Sequence, residues 1–582
     1  MLVYGDHREL AEPEQRVRAV HRRIDAAAKM PPGLERHANM MAALVDAGQL
    51  LQGVADANFE HVGRDRRTAA ANELGEFLLE LGDAVCRSWD SRFQSVGPLP
   101  RLNVRDDWPD HVALRVPEGF AFYSVFPEAY AEAARRLALS GPPRVIGIRS
   151  IGTALGAIAA AALGAPPPVT VRPFGDPFAR KIAVDPALEA ELLAGDAHYV
   201  IVDEGPGQSG SSFGAVADWL QERGVPPQRI ALLPSHGGPP GPAATEERRR
   251  WWGRVQRQVG DFGDRWPGLV ENWCDTLLGP LDGPAQEISG GAWRRLRYAN
   301  ERDWPAVVPS LERRKFLVSA QGERFLVKFA GLGRIGEDKL AVARALHSEG
   351  LVPEPLGLIH GFIVERWCEG AASLTHSDKP LRDVARYIGI RAKLFPASSG
   401  SGVGVEQLLA MTGRNAAFEF GDAFAGALDA WGARMGELER RIVRVRTDNK
   451  LDRHEWLRAK SGALVKTDAL DHHQGHDLVG CQDVAWDVAG ALIEFDVNQS
   501  EGEALIATVE SEAGRAVDRE LLDLYRFSYV AFRLGQTRLG ATSTADPLER
   551  RRIGRLGDRY AAHLRHLLES DCCGTRLESS VG

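Results

Sequence analysis

Apolar residues recur every three to four positions over 16–28, 37–57 and 69–89, the last stretch carrying Leu74, Phe77, Leu78, Leu81 and Val85. This spacing predicts amphipathic helices through the first hundred residues. Pro98 and Pro100 close that region, and from about Val112 the pattern changes. Short apolar runs at 144–148, 169–172, 199–202 and 229–233 predict buried strands, and 126–138, 150–162, 186–193 and 213–223 predict the helices that go with them. Such alternation implies a parallel sheet flanked by helices, with ligands at the carboxyl ends of its strands. Glycine and proline alone fill Gly237 to Pro242, and a Trp-rich stretch follows, so 237–295 is expected to be a connector. Beyond it, strands at 315–318, 324–329 and 362–367 precede a mostly helical remainder. The expected fold class is therefore a multidomain α/β chain. It has a helical N-terminal region (1–100), a parallel-sheet domain (101–236), the connector (237–295) and a C-terminal α+β bilobal domain (296–575).

Composition narrows the function classes. The 582 residues are 44% hydrophobic and 26% charged, enough for several packed cores. No apolar run reaches the roughly 20 residues of a bilayer-spanning helix, so no membrane partner is expected. The first dozen residues lack an apolar signal core, and six scattered cysteines describe neither a disulfide framework nor a zinc site. A reducing cytoplasm is the expected location. A net charge of −8 argues against nucleic acid as a partner. The basic, Trp-containing stretch from Arg248 to Arg257 follows Glu246 and Glu247, which suits a solvated helix face or an interdomain contact. The N-terminal helices show no chemistry of their own. A helical cap or an oligomerisation element is expected there, and a homo-oligomer is compatible with either.

The densest chemistry lies at 200–213. A strand ends in Asp203 and Glu204, a glycine-rich turn follows, and Ser209, Ser211 and Ser212 open a helix. Gly205, Gly207 and Gly210 permit positive φ and close backbone approach. Amides of the turn, the three hydroxyls and the helix N-terminus make a place for a phosphate. Carboxylates beside it accept hydrogen bonds from sugar hydroxyls and hold Mg²⁺. Acids and an anion cradle together specify a ligand with both a diol and a phosphate. No Gly-Lys-Ser/Thr follows, so this is not a Walker loop, although a strand, glycine loop and helix also occur in other doubly wound domains.

This segment resembles the binding motif of type I phosphoribosyltransferases. The resemblance implies that Asp203 and Glu204 hold the ribose and serve catalysis, and that Gly207, Gln208, Ser209, Gly210, Ser211 and Ser212 hold the 5-phosphate. The upstream loop with Arg149, Ser150 and Gly152 is similar to the family's pyrophosphate loop, and Arg172, Arg180 and Lys181 fall where its flexible loop supplies cations. The implied ligand is phosphoribosyl pyrophosphate or a nucleotide-like small molecule. The implied activity is a glycosyltransferase reaction, phosphoribosyl transfer or pyrophosphorolysis. Here the loop is one residue longer than usual, and Gln208 stands where many members have Thr, Asp or Ala.

Toward the C-terminus, Lys328 interrupts an apolar strand, which costs desolvation energy unless it meets an anion or snorkels to water from a strand edge. Then come Glu365 to Trp367 at a strand end, Asp448, Asp468, and the pair Asp483 and Asp487. In this order the segments resemble aminoglycoside and choline kinase-like phosphotransferases. The resemblance implies that Lys328 contacts ATP phosphates, Glu365 and Trp367 lie at the adenine hinge, and Asp448 orients the acceptor hydroxyl. It also implies that Asp468 binds Mg²⁺ and Asp487 braces the loop. Arg446 and Thr447 replace the family's His, Arg453 or His454 replaces its Asn, and Val342 stands where a Glu is expected, with Asp338 one turn earlier. Asp471, His472, His473, His476 and Asp477 match no zinc spacing. Substrate contact or proton transfer is expected of them, with a polar surface loop as the alternative. The expected function is a bifunctional enzyme joining phosphoribosyl chemistry to ATP-dependent phosphorylation of a small hydroxyl or nucleoside-like substrate. The alternative is a sensor that binds such a ligand without turnover.

Overall fold

Small residues decide how the N-terminal helices sit. A Cβ on Gly48 would fall 2.7 Å from Cβ of Ala154, and one on Gly82 would fall 3.3 Å from the carbonyl oxygen of Ala157. Helices Leu34–Val62 and Ala69–Asp90 thus lie directly on the Ala-rich helix Gly152–Leu163. In this computed structural model the described residues are 8–578, without 96, 104–107, 425, 427, 476 and 477, and with only the backbone of 571–578. Residues 8–95 form a layer over one face of the central sheet. A helix this apolar on every side needs cover on its outer face too, and Pro13–Lys29 completes that layer against Leu34–Val62. Strand Arg8–Ala11, not foreseen in the sequence, pairs antiparallel with Val112–Arg115 and ties the two parts again.

The central sheet is parallel, in the spatial order Val169–Val171, Pro143–Ile148, His198–Val202, Ile230–Leu233, Gln256–Arg257. Strand order reverses between Pro143–Ile148 and His198–Val202, which opens a crevice at their carboxyl ends. Gly147 lets strand Pro143–Ile148 and the following helix approach, since a Cβ there would collide with the Gly152 carbonyl oxygen. Gly152 lets that helix meet strand His198–Val202, a Cβ there falling 2.5 Å from the Val202 carbonyl oxygen. The fifth strand comes from the stretch expected to connect domains. That stretch also supplies helix Trp266–Leu278, whose Trp266 and Trp273 are buried against Phe126 and Phe362. Helix Glu246–Arg254 likewise turns its basic face to the domain, through Arg248 on Asp218 and Trp252 against Phe213.

The C-terminal half starts with an antiparallel sheet ordered Pro355–Ile359, Phe362–Arg366, Glu323–Phe329, Lys315–Ala320, Gln286–Glu287, covered by helix Arg334–Ser348. A helical lobe follows, built on Leu381–Leu394, Val484–Glu494 and Arg519–Ser543. One apolar core runs without a break from the N-terminal helices through the face of the parallel sheet they cover into this antiparallel sheet; the helical lobe has its own. The junction also holds a fully buried polar triad. His37 Nε2 and His360 Nε2 lie 2.8 and 2.7 Å from the same Glu128 oxygen. Among the described residues no helix is long and apolar enough to cross a membrane.

Candidate functional site

Two recesses gather the chemistry. The first, of about 410 Å³, opens at the strand-order reversal of the parallel sheet. Asp203, Glu204, Gly207 and Ser212 line it from one side, Arg149 and Ser150 from the other, and Arg180 reaches in from the 174–181 turn. Burial pushes the Asp203 carboxyl up to about 7. Glu204 Oε2 accepts from the Gly119 amide at 3.0 Å, and Tyr130 donates its hydroxyl to the Asp203 carbonyl at 2.8 Å, so both acids sit on a braced backbone. Gly207 and Gly210 take positive φ of 56° and 68°. Gly210 donates to the Pro206 carbonyl and Ser211 to Ser209 Oγ, whereas among the described residues the amides of Gly207, Gln208, Ser209 and Ser212 donate to no protein acceptor.

Several residues expected here face elsewhere. The Arg149 guanidinium is buried and turned from the recess. Its Nε donates to Asp56 at 2.8 Å and its other nitrogens to Asp65 and to the Thr170 carbonyl. Arg172 does line the recess, but its amide is on Asp65 and its guanidinium on Asp56. Arg149, with two carboxylates in hand, has little charge left for a pyrophosphate. Ser209 and Ser211 bond one another, and Ser211 Oγ donates to the Pro177 carbonyl at 2.8 Å, so these hydroxyls pin the 174–181 turn. Gly152 is required by packing, Gln208 lies against Gly241, and Lys181 pairs with Phe174 through its backbone. His236, beside Gly205, and Ser235 join the site unforeseen, since nothing in their local sequence sets them apart.

The second recess, about 240 Å³, is the cleft between the antiparallel sheet and the helical lobe. Strand Glu323–Phe329 places Lys328 on its floor, where Nζ meets Asp468 Oδ1 at 2.6 Å. Burial opposes the charge of Lys328, but Asp468, Glu365 and Asp471 outweigh it and hold the ammonium above its ordinary value. Glu365 also faces inward, its carboxyl pushed up to about 7 by burial against the pull of Lys328. Trp367 ends the same strand pair with the Arg297 guanidinium 3.7 Å over its ring.

Asp448 is not among the residues that line the cleft. Its side chain has no exposed surface, and it accepts from His472 Nδ1 at 2.8 Å, from Tyr387 and from Lys466 at 3.3 Å. Burial would raise its pKa, but Lys466 and His472 hold it well below the carboxylate range. Asp487 does brace this loop, taking the amides of Asp448 and Asn449 at 2.8 and 3.0 Å. The acids that line the cleft are Glu312, Glu365, Asp452, Glu455, Asp468 and Asp471. Asp452 is held by Arg533 at 2.8 Å, and Asp471 by Lys339 at 2.9 Å and Arg313 at 3.1 Å. His472 stands between Asp448 and Asp468; burial alone would lower its pKa, but the acids lift it to about 9. His473 is buried and pushed the other way by burial, while His476 and Asp477 lie outside the described residues. Asp468, Asp471 and His472 present ligand atoms within 4.8 Å of one another. Paired hard oxygens of this kind suit Mg²⁺.

No protein-family model matches the chain, and no curated protein matches it. Among solved structures, the choline kinase from Streptococcus pneumoniae matches at 14% identity over 51% of this chain and 98% of that one, with a TM-score of 0.35. A spectinomycin phosphotransferase in complex with ADP and spectinomycin matches at 13% identity over 51% and 98%, TM-score 0.33. A choline/ethanolamine kinase family protein from Mesorhizobium loti matches at 15% identity over 44% and 89%, TM-score 0.29.

Proposed function

We propose that the C-terminal half is an ATP-dependent phosphotransferase acting on a small hydroxyl compound, and that the central domain binds a phosphoribosyl ligand beside it. The observation that carries the first part is the Lys328–Asp468 pair on the floor of an interlobe cleft. A buried ammonium with one carboxylate partner is where nucleotide phosphates and their metal are held in phosphoryl transfer, whose catalysis is mostly positioning and charge neutralisation. Lys328 meets the phosphates, and Glu365 and Trp367 border the adenine. Asp468 with Asp471 would hold Mg²⁺, which when bound neutralises charge on the transferred group. His472, protonated at neutral pH, adds a cation beside them. Asp452 lines the cleft four residues past the buried Asp448, which supports it as the acid that orients the acceptor hydroxyl. ADP release from Mg-ATP across a panel of small alcohols, amino alcohols and nucleosides tests the reading. Lys328→Met and Asp468→Asn should each lower the rate at least a hundredfold, and a rate unchanged in both variants would remove it.

For the central recess, the free amides of the 207–209 turn beside Asp203 and Glu204 support binding of a ribose with a terminal phosphate. Phosphoribosyl transfer with departing pyrophosphate is the more demanding reading, because Asp56 and Asp65 neutralise Arg149 and Arg172. That neutralisation favours a second reading, a site that binds its ligand without turnover. Calorimetry with ribose 5-phosphate and phosphoribosyl pyrophosphate, together with a pyrophosphate-release assay, separates the two. Saturable binding with no pyrophosphate released supports the non-catalytic site, and Asp203→Asn with Glu204→Gln should abolish either.

A further inference from the structure

The segment from Arg115 to Tyr123 lines both recesses. Arg115, Val116 and Glu118 border the ribose site, and Tyr123 borders the cleft. Within it, the Gly119 amide is held by Glu204 Oε2 at 3.0 Å. Two residues on, the Ala121 carbonyl accepts from Lys339 Nζ at 3.0 Å, and the same ammonium reaches Asp471 Oδ2 at 2.9 Å. Two cations lie over the Phe122 ring, Lys339 at 4.8 Å and Arg313 at 4.5 Å, and both hold Asp471. An ammonium has three protons to place. Lys339 gives one to Ala121 and one to Asp471, and its Nζ also lies 4.8 Å from the Phe122 ring centre, so two of these three contacts belong to the central domain. Lys339 is 1% exposed, and burial pulls its pKa down to about 8 despite Asp471. Helix Arg334–Ser348 is fixed to the same segment by the Leu332 amide on the Phe120 carbonyl at 2.9 Å.

We propose that Lys339 is a positioning residue for the phosphotransferase cleft, and that through it occupancy of the ribose site raises nucleotide affinity. The inference rests on the two-site reading above. A sugar diol donating to Glu204 leaves lone pairs for the Gly119 amide, since a carboxylate accepts several hydrogen bonds. The bound ligand therefore fixes Glu204 and, with it, residues 119–122. Lys339 and Arg313 then hold Asp471 beside Asp468 at less ordering cost when nucleotide arrives. Coupling of this kind typically amounts to roughly 5- to 150-fold in affinity and must be the same in both directions.

The test is calorimetric binding of a non-hydrolysable Mg-ATP analogue to the full chain, with and without saturating ribose 5-phosphate, and the converse titration. Tighter nucleotide binding by at least fivefold, matched by an equal gain for ribose 5-phosphate, is the expected result. In Lys339→Met the gain should vanish while ribose 5-phosphate alone binds as before, and Lys339→Arg should recover part of it. A merely structural lysine would weaken both ligands or unfold the chain without changing the ratio. If both ligands bind and neither alters the other, or if they oppose one another, the coupling is refuted and the two-site reading survives. If either ligand fails to bind the wild-type chain, the two-site reading falls and takes the coupling with it.

Discussion

Arg149 shows what a buried charge does when its partners are distant in the chain. Its guanidinium has two carboxylates from the N-terminal region and a carbonyl, all out of solvent. Breaking one side of such a network leaves an uncompensated charge and costs about 3–5 kcal/mol. Arg149→Met should therefore lower unfolding free energy by that amount in urea titration, and Asp65→Asn by a comparable one, because Asp65 also takes the Arg172 amide. If Arg149 instead served the ligand directly, its replacement would weaken ribose 5-phosphate binding with stability unchanged. Gly152 makes the opposite point. A methyl group there meets the Val202 carbonyl 2.5 Å away, so Gly152→Ala should destabilise by about 1–3 kcal/mol through overpacking. A thermal melt matching wild type would show that the backbone gives way.

Elements meet at the triad of His37 on helix Leu34–Val62, Glu128 on helix Pro127–Arg135 and His360 in the turn before strand Phe362–Arg366. Burial opposes the Glu128 charge, but His360 and His37 outweigh it and bring its carboxyl down to about 2, while burial pulls His37 below its ordinary 6.5. Both folded values are depressed, so the unfolded chain binds more protons and stability rises with pH. The contribution is whole above pH 6.5, declines first as His37 would protonate, and declines again between 4.5 and about 2 as Glu128 does. Melting temperature should fall from pH 7 to pH 4, and His37→Gln should flatten the part between 7 and 5. A wild-type melt independent of pH over that range would contradict this account.

For the whole molecule, the shared core means that the N-terminal layer, the parallel sheet and the antiparallel sheet fold as one body. A chain beginning at residue 101 would expose the helix Gly152–Leu163 and strip Arg149 of both acids. Such a truncation should be insoluble or lose its cooperative transition, whereas a detachable cap would leave a soluble, folded remainder. Expression and a circular-dichroism melt of the truncated chain distinguish these outcomes.

Strands such as His198–Val202 and helices such as Pro186–Leu193 were legible because their patterns are local: a buried strand is an apolar run between turn residues, and a helix repeats every 3.6 positions. The paired acids at 203–204 and the glycines after them were legible for the same reason. The sequence carried no sign of which cations the acids of the N-terminal helices would meet. Arg149 and Asp56 are 93 positions apart, and Lys339 and Asp471 are 132 apart. A carboxylate is written identically whether it will face a sugar, a metal or a buried guanidinium. Burial and distance choose among these fates, and they exist only once the chain has closed on itself. That is why the loops that carry Asp448 and Arg149 could be picked out from sequence while the direction of their side chains awaited the packed structure.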